Sequence, residues 1–405
     1  MKFINGGVCA AKGFKASGLH VGVKTKNLDK KDLALIVSDC DCTAAAVYTK
    51  NLVKAAPLHV TKENLSNGKA RIVFANSGNA NACAPLGEEN ARRMCKSVAT
   101  QLDMSESDVL VASTGVIGQT LPVDVIEGGV AELVSKLSYE GSKDAAAAIM
   151  TTDLTMKELA VEFMIDGKTV KIGGIAKGSG MIHPNMGTML AFLTTDCAIS
   201  SEMIQKALVH ATNISFNRIS VDGDTSTNDM LTLMANGLAG NAEISGEGKH
   251  YDEFTEALNE LCISLAKMIA ADGEGATHLI TCHVSGAENE EDAEALSKAV
   301  ISSTLVKAAM FGMDANWGRI LCAMGYSGTP FNPDTVNIAF KSSAGSISVC
   351  EAGQGLPFDE PAAKKILTEH DITIEITLSA GGAECTCWGC DITYDYIKIN
   401  GDYRT

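Results

Sequence analysis

Ala91, Met94, Cys95, Val98, Ala99 and Leu102 recur three or four positions apart, with polar residues between them. That spacing lays one apolar stripe along a helix and predicts a helix over 87–102, with Glu88 and Glu89 favourably placed in its first turn. The same period predicts helices over 123–137, 201–213, 254–271 and 292–303. Short apolar runs bounded by turn residues predict strands over 33–37, 45–48, 71–75, 109–112, 188–193, 218–221 and 278–285. The runs 161–165 and 169–172 flank Asp166-Gly167, the pairing expected of a two-residue hairpin. From residue 336 the pattern turns mainly to strands, over 336–340, 347–350, 372–378 and 392–399. Such alternation predicts a mixed α/β chain with largely antiparallel sheets. The loop near 271–276 is the expected boundary between a domain over 1–275 and a C-terminal lobe over 276–405.

A chain of 405 residues is long enough for two domains and a large core. Aromatic residues make up 5% of it, so that core must rely on Ala, Val, Ile, Leu and Met. The net charge of −16, with no cluster of Lys and Arg, argues against a nucleic-acid partner. No apolar run approaches the roughly 18 residues that span a bilayer, so no membrane role is expected. The N-terminus lacks the apolar core of a signal peptide. A cytoplasmic location follows as the expectation, with the 13 cysteines as reduced thiols.

Most common chemical fingerprints fail. GGIAKGSG has its lysine before the glycines rather than after them, so it is no phosphate loop, and no G-x-G-x-x-G opens a helix. Gly325-Tyr-Ser-Gly328 lacks the second glycine of a nucleophile elbow. The stretch from Asp222 to Asp229 begins like a calcium loop but lacks the mid-loop glycine and the closing glutamate, so it reads as a polar turn. Cys385, Cys387 and Cys390 would need a fourth zinc ligand from His370 or His283, and no second ligand pair is visible. No metal and no bound cofactor are expected. His183 lies in an irregular loop and reads as a packing residue.

Gly187-Thr188 is different. A hydroxyl directly after a small residue in an irregular loop can attack the preceding carbonyl, and water can cleave the resulting ester. The new chain would begin with Thr188, whose α-amine, with a reference pKa of about 7.7–8.0, is partly unprotonated at neutral pH. Base and nucleophile would then sit on one residue. Spacing alone favours the plainer reading of Thr188 as an ordinary β-branched strand residue. Ser113-Thr114-Gly115 follows a strand, and its turn could present N–H groups to an oxyanion.

Ten stretches, taken in order, carry a more specific signal: KGFKASG, KAAPLHV, FANSGNANAC, VASTGVIGQ, AAAAIMTTD, GGIAKGSGMIHPNMGTMLAFLTTD, FNRISVDGDTSTNDM, KMIAADGEGATH, MDANWGRIL and DITYDYIKINGDYRT. In these the chain resembles, over essentially its whole length, the ornithine acetyltransferase family, the bifunctional glutamate N-acetyltransferase/amino-acid acetyltransferase of arginine biosynthesis. The resemblance implies an αββα-type sandwich, similar to N-terminal-nucleophile hydrolases but with its own connectivity, plus a smaller C-terminal α/β lobe whose tail returns to the active site. It implies a precursor that cuts itself between Gly187 and Thr188, and fragments 1–187 and 188–405 that assemble as a heterotetramer of two copies each. Many relatives carry alanine where this chain has Gly187.

Matched residue by residue, Thr188 corresponds to the nucleophile, and Thr114 and Gly115 to the oxyanion pair. Thr151, Lys177, Thr188, Glu274, Asn400 and the terminal Thr405 correspond to substrate-contacting positions. The implied reaction moves an acetyl group from N²-acetylornithine to glutamate through an acetyl-threonine. Some relatives also accept acetyl-CoA as donor. The rival readings are a self-processing aminopeptidase or amidase of a related fold, and a non-catalytic amino-acid-binding protein.

Overall fold

The computed structural model describes residues 1–25, 29–183 and 189–401 of the chain, which divide into two compact units. The first contains Met1–Gly178, Thr225–Ala266 and, among the described residues, 189–217. The second contains Ser179–His183, Arg218–Asp224 and the chain from Lys267 onward.

The strands of the first unit are β1 (Lys2–Ile4), β2 (Phe14–Leu19), β3 (Leu33–Tyr48), β4 (Lys69–Asn79), β5 (Val109–Val116), β6 (Lys157–Ile165), β7 (Lys168–Lys177), β8 (Leu190–Thr195) and β10 (Met230–Ala235), while β9 (Ile219–Ser220) belongs to the second. They pair in the order β1-β6-β7-β8-β10-β3-β4-β5, with β2 against β3. The pairs β8–β10 and β4–β5 are parallel, and the others are antiparallel as the pattern predicts. The two short runs predicted at 33–37 and 45–48 are the two ends of β3. A register shift between Val37 and Cys42 interrupts its pairing with β4, at the polar stretch Ser38-Asp39-Cys40-Asp41.

Both faces of this sheet are covered, which explains why its strands read as unbroken apolar runs. Leu33, Leu35, Ile72, Phe74, Val109 and Val111 point to one core, shared with Met94 and Val98 of α2 (Gly87–Leu102, after α1, Ala56–Asn64) and Ile126 and Val130 of α3 (Val123–Ser135). The alternate residues Ala34, Ile36, Val73, Ala75, Leu110 and Ala112 enter the other core, with Ala145, Ala148 and Ile149 of α4 (Ser142–Ile149). Each fully buried Leu or Phe here contributes about 1.5–3 kcal/mol. The spacing did not reveal α4, a short alanine-rich helix. It lies so close to β2 that a Cβ on Gly18 would stand 1.9 Å from the Asp144 carbonyl oxygen. Two further helices are α5 (Ser201–Ile214) and α6 (Lys249–Ala271).

The second sheet runs β14-β13-β12-β15-β11-β16-β9. Its further strands are β11 (Leu279–Ala287), β12 (Asn337–Ser342), β13 (Gly345–Glu351), β14 (Gln354–Gly355), β15 (Asp371–Thr377) and β16 (Ala383–Cys390). Ile280, Cys282, Val284, Ile374 and Ile376 of this sheet share a core with Leu296 and Val300 of α7 (Glu290–Ser302) and Met310 of α8 (Thr304–Phe311). Two more helices, α9 (Trp317–Gly325) and α10 (Glu360–Leu367), precede α11 (Tyr394–Gly401). The mixed α/β class expected of the chain is what these two sheets show.

The strand predicted over 392–399 is wrong: that segment is α11. The sheet strand already ends at Cys390, and the Thr393 hydroxyl oxygen accepts the N–H groups of Asp395 and Tyr396, as an N-cap does. Tyr394 and Ile397, which suggested the strand, are exposed. The strand predicted over 188–193 is found from Leu190, and Thr188 lies outside the described residues. Among the described residues no helix is long and apolar enough to cross a membrane.

Candidate active site

In the first unit the ends of β4 and β5 lie side by side, with Ser77 opposite Thr114 and Gly78 opposite Gly115. Gly115 has φ +132°, and a Cβ there would come within 2.3 Å of the Gly78 carbonyl carbon and 2.6 Å of the Asn79 nitrogen. Only glycine fits this approach. Ser113 Oγ donates to Asn76 Oδ1 at 2.6 Å, and Asn76 Nδ2 donates to the Asn79 carbonyl at 2.9 Å, so the turn on each strand is tied to the other. Ser77 Oγ donates to the Ala148 carbonyl at 2.5 Å, drawing in the end of α4 and the Met150-Thr151 segment that follows it.

Lys24 closes this side. Its ammonium donates to the carbonyls of Lys31 and Met150, each at 2.7 Å. Burial lowers its pKa to about 8: Asp32 opposes the shift, while Lys30 and Lys177 add to it. Nothing in the sequence around Lys24 marks this role, because its amine is partly enclosed only in the folded chain.

Thr151 and Lys177 meet through Asp153. The Asp153 carboxylate accepts the Thr151 N–H at 3.0 Å and the Gly178 N–H at 2.7 Å, pairs with Lys157 at 2.8 Å, and lies 4.0 Å from the Lys177 ammonium. Burial alone would raise this acid. The charges of Lys177 and Lys157 prevail and hold it well below the ordinary carboxylate range. Its folded pKa therefore lies below the ordinary value of 3.8, so its stabilisation is present above pH about 4 and is lost as the pH falls further. Asp153→Asn leaves Lys157, 0% exposed, against a neutral amide. A loss of about 3–5 kcal/mol is expected, read as a lower urea midpoint at pH 7. The gap from wild type should narrow between pH 5 and pH 3, and a constant gap would contradict this account.

Lys177 ends β7 and pairs with Leu190, the first residue of β8. Met230, the first residue of β10, also faces Leu190, and its N–H donates to the Met189 carbonyl at 3.0 Å. Just before it, the Asn228 amide donates to the carbonyls of Ala80, at 2.6 Å, and Ser113, at 2.8 Å. One short segment therefore touches both the residue after Thr188 and the residue before Thr114. Thr114, Gly115, Thr151 and Lys177 are all residues of this one unit. Gly187 and Thr188 lie outside the described residues.

In the second unit Asn400 Nδ2 donates to Glu274 Oε2 at 2.7 Å, so two of the expected substrate-contacting residues meet. Glu274 is held by its own N–H, which donates to the Ser179 carbonyl at 3.1 Å. A Cβ on Gly180 would come within 2.3 Å of the Glu274 carboxylate. Thr405 lies outside the described residues. The Asp222 carboxylate, which opens the stretch read as a polar turn, accepts the N–H groups of Met181 at 2.6 Å and Ile182 at 2.8 Å, as a turn anchor does. Cys385 and Cys387 are buried in the apolar core of this sheet, with Cys387 directly across from Cys282. Among the described residues no group of three His, Cys, Asp or Glu side chains could hold a metal ion.

Known proteins match this chain along its length. The sequence profile of the ArgJ family matches residues 15–405. The arginine biosynthesis bifunctional protein ArgJ of Symbiobacterium thermophilum is 50% identical over 406 residues, covering 100% of each chain. The protein of the same name from Caldanaerobacter subterraneus subsp. tengcongensis is 49% identical, again over 100% of both. The crystal structure of arginine biosynthesis bifunctional protein argJ from Bacillus halodurans is 46% identical and matches 52% of this chain and 98% of that one, with a TM-score of 0.50. Identity of this extent, end to end, is that of common descent, and the chain belongs to the ArgJ family.

Proposed function

We propose that this acyltransferase of arginine biosynthesis cuts itself before Thr188 and then uses that threonine to carry an acetyl group from N²-acetylornithine to glutamate. In maturation the Thr188 hydroxyl adds to the Gly187 carbonyl. The C–N bond breaks, the nitrogen takes up the proton, and water hydrolyses the ester. Gly187 is left as a carboxylate, and Thr188 with a free amine and a free hydroxyl.

In turnover the Thr188 amine takes the proton of its own hydroxyl as the oxygen attacks the acetyl carbonyl. The proton passes to the departing amine, and ornithine leaves. The glutamate amine attacks the acetyl ester by the same route in reverse and departs as N-acetylglutamate. An amide is exchanged for an amide, so no energy source is needed. The Gly115 N–H and the Thr114 hydroxyl stabilise the oxyanion of both tetrahedral intermediates.

The substrates are amino acids with charged ends. Lys177 meets a carboxylate, and Thr151, Glu274, Asn400 and the carboxylate of Thr405 complete the contacts. The second activity of the bifunctional enzyme is acetylation of glutamate by acetyl-CoA, and the working assembly holds two copies of each fragment.

The observation that carries this reading is the pair of links made where the chain enters β10: Asn228 to the Ser113 carbonyl, and Met230 to the Met189 carbonyl. They bring the neighbours of Thr188 and of Thr114 to a common point. Denaturing mass spectrometry of the purified protein tests it. Two fragments are expected, 1–187 and 188–405, the second with Thr188 at its N-terminus. A single uncut mass would count against the reading.

A further inference from the structure

The mechanism above makes no use of the buried acid Asp229. Asp229 is 1% exposed, and its Oδ2 has no hydrogen-bond partner. Its carboxyl group lies against the hydroxyls of Ser226 and Thr49 and the backbone N–H of Met189. Burial pushes the acid well above the ordinary carboxylate range, although the Lys177 charge and these hydrogen bonds oppose the shift. The Thr49 hydroxyl already donates its one proton to the Ser226 carbonyl at 2.9 Å and accepts the Asn51 N–H at 3.1 Å. With that proton committed, Thr49 offers a carboxylate at 229 little help against the cost of burial.

Asn228, the preceding residue, faces a different set of partners. Its Nδ2 donates to the carbonyls of Ala80 and Ser113, and its Oδ1 accepts the Thr227 hydroxyl at 2.6 Å. Both amide donors and the acceptor are used, so the amide orientation is determined. Consecutive side chains thus grip two separate strand ends: Asn228 holds the turn that leads to Thr114-Gly115, and Asp229 holds the residue after Thr188. Thr49 N–H donates to the Asp229 carbonyl at 3.1 Å and fixes the dipeptide itself against the end of β3.

We propose that Asn228 and Asp229 act together as positioning residues, setting the spacing between the Thr188 nucleophile and the Thr114-Gly115 oxyanion donors. The inference rests on the reading of Thr188 as nucleophile. It adds that the register between the two halves of the catalytic apparatus is set by one dipeptide at the entrance to β10. Neither side chain needs to touch the substrate. Each acts through the backbone group it holds, and a misplacement of about 1 Å can cost on the order of 10²-fold in rate.

The two residues predict opposite tolerance to the smallest available change. An amide at 229 can still donate and accept as a neutral acid does, so Asp229→Asn should cleave and turn over within about fivefold of wild type. A carboxylate at 228 cannot donate, and it would face two carbonyl oxygens. Asn228→Asp should therefore lower kcat about 10²-fold with KM within threefold, and should slow self-cleavage in parallel. Asp229→Ala should behave like Asn228→Asp. The double variant Asn228→Asp/Asp229→Ala should be little worse than either alone, because both release the same spacing.

The measurements are time-resolved mass spectrometry of the full-length precursor and steady-state transfer from N²-acetylornithine to glutamate, alongside thermal melts of each variant. An Asp229→Asn enzyme as slow as Asp229→Ala, an Asn228→Asp enzyme at the wild-type rate, or losses confined to KM would each overturn the proposal. Should Asp229→Ala not fold, the contrast between Asp229→Asn and Asn228→Asp decides. The wild-type lane separates the two levels: an uncut wild type removes Thr188 as nucleophile, whereas normal wild-type cleavage with indifferent variants removes only the spacing role.

Discussion

Thr188→Ala should leave the polypeptide in one piece and abolish acetyl transfer. The substitution removes the only oxygen that can attack the Gly187 carbonyl from residue 188. Without cleavage, the α-nitrogen of that residue stays locked in an amide and cannot serve as a base. Nucleophile and base are lost in a single change, so the two effects do not add as independent losses would. A fall of at least about 10⁴-fold in kcat is expected, by comparison with removal of the nucleophile from other acyl-transfer enzymes. Thr188→Ser restores both groups and should recover self-cleavage and a measurable part of the turnover. The assays are the intact mass under denaturing conditions and the formation of N-acetylglutamate from N²-acetylornithine and glutamate. An alanine variant that is cut, or that retains more than about 1% of wild-type turnover, would exclude the mechanism.

Gly115→Ala is expected to produce the next largest effect. The new methyl would sit 2.3 Å from the Gly78 carbonyl carbon, and the residue would have to hold φ +132°, which side chains disfavour. Neither neighbour is a flexible side chain that could move aside, so the backbone at 115 must shift and carry its N–H with it. Loss of one oxyanion donor typically costs about 10²–10³-fold in kcat. In the proposed mechanism self-cleavage and transfer both pass through a tetrahedral oxyanion, so both should slow together. Gly128→Ala, inside α3 with open space around its Cβ, is the control and should leave turnover within twofold. Equal turnover in the Gly115 and Gly128 variants would remove the Gly115 N–H from the mechanism.

Much of the secondary structure was legible because its signals are local. The helix over 87–102 was predicted to the residue from one apolar stripe, and Asp166-Gly167 marked its hairpin through the backbone angles that pair prefers. Where the pattern misled, a long-range contact decided. The apolar residues at 392–399 alternate like a strand, but the sheet ends at Cys390, and the Thr393 hydroxyl, held against the Gly275 carbonyl at 2.7 Å, starts a helix instead.

The candidate site divides the same way. The chemistry proposed for Gly187-Thr188 involves adjacent atoms of one chain segment, so it could be reasoned from two letters. Ser113-Thr114-Gly115 is a turn after a strand, a weak mark by itself, and only the family resemblance points to Thr114 and Gly115. The supporting residues left no comparable mark: Lys24, Asp153, Asn228 and Asp229 are ordinary polar residues in polar stretches. Their roles arise from partners far along the chain, as when Asn228 meets Ser113 across 115 positions, and from burial, which sets whether an acid or an amine stays charged.

The sequence by itself determined the alternation of helices and strands and the family, and it pointed to the pair proposed to react, because backbone preference and bond-forming proximity act over a few residues. Only the tertiary structure decided which distant side chains surround the proposed site and which of them are buried. A dry environment, and a hydrogen bond between distant strands, exist only once those strands are packed together.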